Sequence, residues 1–190
     1  MDRRAECRTH ISDTTPPFDS DSADRSTARE LEVLATLGWQ RVDHIAVENC
    51  HIDHVLAGPG GVFVVDSKWT DEPWQLSDGL FDNTRARRAL AHAREGAARL
   101  GAHIRADHGI RCEVTGLLVV WAPGRPTIDS PVETEGVLVM PGHLLAEALA
   151  TRPATIDAGL ATKVIQAARQ LDCGRDEHAA RSLREPVLVG

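Results

Sequence analysis

The sequence predicts an α/β or α+β fold, a mixed central β-sheet flanked by helices. Three strand-like runs follow one another between residues 39 and 69, the last two joined by the tight turn Gly58-Pro59-Gly60-Gly61. A long helix striped with Ala and Leu follows them. After it comes the nearly continuous apolar run "EVTGLLVVWAP", as expected of a strand covered on both faces.

Each element has its own signal. "ISDTTPPFDSDS" is rich in Ser, Thr, Pro and Asp, so residues 1–21 read as a disordered leader. A helix starts near Ser22, capped by Asp21 or Ser22, with Ala28, Leu31, Leu34 and Ala35 as its apolar stripe and Gly38 as its stop. "WQRVDHIAV", "IDHVLAG" and "GVFVVDSKW" are strands, and "EPWQL" a short further one. From Asp82 to Arg105, Ala86, Leu90, Ala93, Ala97, Leu100 and Ile104 recur at helical steps, despite Gly96. "GVLVMP" is another strand, and helices are expected near 143–150 and 156–171. The charged residues 173–190 read as a loose tail, leaving 22–172 as one domain with the hairpin strands towards the middle of its sheet.

Composition narrows the function. The formal net charge of -7 argues against a surface coated in basic residues, though a local basic groove remains compatible with it. Cys7, Cys50, Cys112 and Cys173 form no CxxC pair, which fits reduced thiols and a cytoplasmic location. The apolar runs fall far short of the ~20 residues of a membrane span. The histidines show no zinc spacing, and there is no GxSxG elbow.

The chemistry concentrates in "HIDHVLAGPGGVFVVDSKWT", residues 51–70. Asp66 and Lys68 are two apart on one strand and so share a face, with Ser67 opposite. Counting outwards from the turn, Ala57 faces Val62, and Asp53 falls opposite about Asp66. Two carboxylates and an ammonium converge at the open end of the hairpin. Like charges so close are unfavourable unless a cation sits between them, and oxygen donors favour Mg²⁺ or Mn²⁺. The competing reading is an exposed ion pair worth little.

These residues resemble the signature of the NERD (nuclease-related) domain, placed within the PD-(D/E)XK nuclease-like superfamily. The likeness lies in the "IDH" strand, the "GPGGVFVV" turn and strand and the acid-x-Lys end. Upstream, "ADRSTARELEVLATLGW" is similar to the family's opening helix, with Asp24 at the position of its glutamate. The resemblance implies a restriction-endonuclease-like core and hydrolysis of DNA phosphodiesters, with RNA also open. It implies that Asp53 and Asp66 hold Mg²⁺ or Mn²⁺, that the Ser67 carbonyl completes the shell, that Asp24 assists directly or through water, and that Lys68 is the catalytic lysine. The alternative is an inactive nuclease-fold module that binds nucleic acid or a protein.

Further candidates surround this set. His51 shares the strand face of Asp53 and could position a phosphate, while His54 points away and suits a structural hydrogen bond. Gln75 follows the acid-x-Lys strand as a possible substrate contact, and Trp69 and Trp74 could stack on bases or simply pack. Arg85 and Arg88 open a locally basic helix suited to phosphate contacts. Glu30 and Glu32 are fallback acids on the first helix, with a surface role favoured.

Overall fold

A computed structural model describes residues 20–71, 74–77, 79–122 and 128–182, with side chains for residues 21–171. Helix α1 (Ser20–Leu34) runs into a 3-10 turn, Ala35–Leu37, which Gly38 ends with a left-handed φ of 82°. Strands β1 (Gln40–Val47), β2 (Cys50–Gly58) and β3 (Gly61–Trp69) follow. A small hairpin, β4 (Leu76–Ser77) with β5 (Leu80–Phe81), leads into α2 (Thr84–His108). Then come β6 (Val114–Trp121), β7 (Val132–Thr134), β8 (Val137–Pro141), the 3-10 turn Gly142–Leu144, α3 (Leu145–Ala150) and α4 (Ala158–Ser182). The leader and tail expected at the two ends lie outside the described residues over 1–19 and 183–190. The backbone stays helical through Ser182, beyond the end near 171 that the apolar periodicity suggests.

The main sheet has six strands in the order β1-β2-β3-β6-β8-β7. β1, β2 and β3 pair antiparallel, β3, β6 and β8 run parallel, and β7 returns antiparallel to β8. The sheet is therefore mixed. β6, buried from Gly116 to Val120, has strands on both sides and helices on both faces, which explains its unbroken apolar run.

One face is covered by α1 and α3, through Leu31, Leu34, Leu56, Phe63, Val65 and Leu117. The other is covered by α2 and α4, through Ile52, Val64, Ala97, Leu100, Val164 and Ala168. Helix α2 starts where Asn83 accepts the N–H groups of Arg85 and Ala86, and it ends at Gly109, φ 65°. It lies unusually close to the sheet: a Cβ on Gly116 would sit 2.9 Å from the Ala93 carbonyl oxygen. That approach brings residues of α2 within reach of the carboxyl ends of β3 and β6.

Candidate active site

The hairpin register builds the site. The β2–β3 ladder runs from Gly58 opposite Gly61 to His54 opposite Val65, and then stops. Asp53 is the next residue, and the β1–β2 ladder also skips it together with His44, whose φ of 53° is left-handed. Released from both ladders, Asp53 Oδ2 accepts the backbone N–H of Ser67 at 2.9 Å. A carboxylate thus takes the place of a strand partner, and the hairpin opens around it.

Asp66 is 3% exposed. Its Oδ1 accepts from Lys68 Nζ at 2.7 Å, and the same ammonium reaches the Ser67 carbonyl oxygen at 3.3 Å. The other oxygen, Oδ2, is buried and has no hydrogen-bond partner among the described residues. Leaving a charged oxygen so costs several kcal/mol, roughly, unless a cation or proton meets it. Burial, and next the charge of Asp66, push the Asp53 carboxyl above its usual range; the Ser67 N–H and Lys68 offset only part of this. Asp53 therefore lies within electrostatic reach of Asp66.

His92 of α2 joins them, with Nδ1 3.6 Å from Asp66 Oδ1. The Asp66 carboxylate beside it raises the imidazole pKa, against the opposing effect of burial. Nothing in the sequence marks His92: it is one histidine in an alanine-rich helix, and only the tertiary approach of α2 brings it here.

Asp24 takes a different position. Its Oδ1 lies 2.8 Å from His54 Nε2, at ion-pair distance but without the alignment of a hydrogen bond, and its Oδ2 lies 3.6 Å from His44 Nε2. His54 is 1% exposed and bonds Asp43 Oδ1 through Nδ1 at 2.7 Å; Arg41 reaches the same oxygen at 2.9 Å. Burial alone would raise the Asp43 carboxyl, but the His54 hydrogen bond and nearby positive charge outweigh it and hold it below its usual value. His54 points to the face opposite Asp53, as strand alternation requires. Asp24 therefore faces His54 and His44 rather than Asp53 and Asp66. The structural role expected of His54 takes the form of a buried link between α1, β1 and β2.

The outer candidates divide. Arg85, Arg88, Lys68, Ala89 and His92 line one cavity of about 470 Å³ beside Asp66. Arg85 also donates to the Trp69 carbonyl oxygen at 3.3 Å. His51 is exposed on β2. Gln75 is exposed, and its carbonyl accepts the Asp82 N–H at 3.1 Å; its side chain makes no hydrogen bond to the acidic pair. Trp74 is fully buried edge-on against Phe81, with ring centroids 6.0 Å apart, so it packs rather than stacks on a ligand. Glu30 is half-buried and Glu32 exposed. A roomier concavity, about 730 Å³ by Arg105, Arg111, Cys112 and Glu113, has no carboxylate pair.

Among the described residues no cluster of three His, Cys, Asp or Glu side chains is arranged to hold a metal ion. The available donors are the two carboxylates and the Ser67 carbonyl. That set suits a hard divalent ion that keeps several waters and takes one or two carboxylates, as Mg²⁺ does, and the orphaned Asp66 oxygen supplies a vacant donor for it.

Residues 21–121 match the NERD model, described as a nuclease-related domain, which is just over half of the 190-residue chain. The chain belongs to the NERD family. The matched region runs from α1 through β6, so the NERD match contains Asp24, Asp53, Asp66, Ser67, Lys68 and His92. The mixed sheet with its flanking helices is consistent with a nuclease-like core. No curated protein and no solved structure matched the chain. Among the described residues of this NERD protein, no helix is long and apolar enough to cross a membrane.

Proposed function

We propose that this protein is a metal-dependent nuclease that hydrolyses phosphodiester bonds in DNA. The observation that carries the reading is the half-buried Asp53 beside the buried Asp66, with one Asp66 oxygen unpartnered and Lys68 two residues on. Asp53, Asp66 and the Ser67 carbonyl would hold Mg²⁺ or Mn²⁺. Such an ion lowers the pKa of a bound water and neutralises charge that builds on the phosphoryl oxygens.

The chain's own groups have separable tasks. The Ser67 N–H holds Asp53 by one oxygen and so orients the other. Lys68, 30% exposed at its side chain, is anchored by Asp66 and keeps donor capacity for a phosphate oxygen or the attacking water. The cavity lined by Lys68, Arg85, Arg88 and His92 would seat the backbone of the nucleic acid beside the reacting phosphate. His51 would contact the nucleic acid from its exposed position near the start of β2. Asp24 would act from the far face, through His54.

A second reading is a nuclease-fold module that binds nucleic acid or a protein without cutting. The engagement of Asp24 by two imidazoles favours it, because the helical acid is then not a donor. Plasmid cleavage in Mn²⁺ by wild type and Asp66→Ala separates the two. A nuclease nicks plasmid and loses this activity in Asp66→Ala; a binding module retains plasmid without nicking it.

A further inference from the structure

Ser67 makes a different contact with each of its polar groups. Its N–H holds Asp53 at 2.9 Å, its carbonyl accepts from Lys68 at 3.3 Å, and its Oγ, on the opposite face of the sheet, donates to Thr27 Oγ1 at 2.8 Å. Thr27 lies on α1, is fully buried, and also accepts from Trp121 Nε1 at 2.8 Å. One threonine hydroxyl thus ties together α1, the acid-bearing end of β3 and the end of β6. It sits directly behind the peptide that positions Asp53 and offers the Ser67 carbonyl.

We infer that Thr27 is a positioning residue for the divalent-ion site, acting through Ser67. The inference rests on the metal reading proposed above. A rotation of the Ser67 peptide by a few degrees moves its N–H, which orients Asp53, and its carbonyl, which would face the ion. Oγ is the group that opposes such rotation from outside the site. Ser67 is 1% exposed, so no bulk water can take over the role of the Thr27 hydroxyl. Groups that orient metal ligands from behind typically change metal affinity or activity by about 10–100-fold when removed. In sequence Thr27 looks like any small residue on the inner stripe of an amphipathic helix.

The test is Mn²⁺ affinity, measured by calorimetry on metal-free protein. Thr27→Val keeps the shape and removes the hydroxyl; Thr27→Ser keeps the hydroxyl. The expected result is a Kd for Mn²⁺ raised about tenfold in Thr27→Val and restored to within about twofold in Thr27→Ser. Ser67→Ala, which leaves the backbone donors intact, should match Thr27→Val, and the double variant should be no weaker than either single one. Leu149→Ala, in the core on the α3 side, serves as a control for destabilisation alone and should keep wild-type affinity. Wild-type affinity in Thr27→Val, or in Ser67→Ala should Thr27→Val not fold, overturns the inference while leaving the metal site standing. Absence of Mn²⁺ binding by wild type overturns both, the metal reading first.

Discussion

Ser67 gives its backbone N–H to Asp53 Oδ2 at 2.9 Å, across a hairpin whose ladder has already ended one residue pair earlier. The site owes its geometry to that unpaired stretch. Asp53 can turn its carboxylate towards Ser67 and Asp66 because its own backbone belongs to neither ladder.

Asp66 and Lys68 have distinct expected effects on catalysis and binding. Asp66→Ala should lower Mn²⁺-dependent plasmid nicking by at least about 10³-fold, with circular dichroism unchanged. Lys68→Ala should lower the rate by roughly 10²–10³ while Mn²⁺ affinity stays within a fewfold of wild type, since a donor to developing charge is lost rather than a metal oxygen.

Burial and the charge of Asp66 disfavour the charged form of Asp53, so its carboxylate should destabilise the metal-free protein near neutral pH. Asp53→Asn keeps an oxygen for the Ser67 N–H and removes the charge. Its Tm should exceed that of wild type near neutral pH without metal. Adding Mn²⁺ should raise the wild-type Tm and leave the variant unchanged. Scanning calorimetry with and without the ion reads both effects.

Asp43 has the opposite sign. Its folded pKa lies below the ordinary carboxylate value, so its partnership with His54 and Arg41 stabilises the fold above that value. The contribution is lost as pH falls through the lowered folded value. Asp43→Asn should therefore cost about 1–2 kcal/mol at pH 7, discounted because Asp43 is a third exposed, and the gap to wild type should close below about pH 4. Urea denaturation across that range measures it.

Much of the fold was legible because its signals are local. The glycine turn at Gly58–Gly61 fixed Ala57 opposite Val62, and that register runs out to His54 opposite Val65, one residue short of Asp53. The continuous apolar run of β6 announced a strand buried on both faces. The short β7 was missed, since three residues, Val132–Thr134, have too little length for an alternation to register. His92 and Thr27 were missed for a different reason: each is an ordinary helix residue until tertiary packing sets it against Asp66 or Ser67. The partner of Asp24 was equally invisible, because an acid on one helix face can meet either side of a sheet edge, and His54 lies on the side it meets.

The basic rim can be tested without catalysis. Arg88→Ala and Arg85→Ala, made in an Asp66→Asn background, should weaken DNA binding by a similar factor for all sequences. Each should reduce the slope of log K against log salt by about 1 if it contacts a phosphate. Fluorescence anisotropy over a salt series gives both numbers, and an unchanged slope removes that arginine from the interface.

Calorimetric titration of Mn²⁺ into wild type, Asp53→Asn and Asp66→Asn tests the acidic pair most directly. One ion bound by wild type, with affinity lost in both variants, is the expected result. Equal binding by all three proteins, or none by wild type, contradicts a divalent-ion site at Asp53 and Asp66.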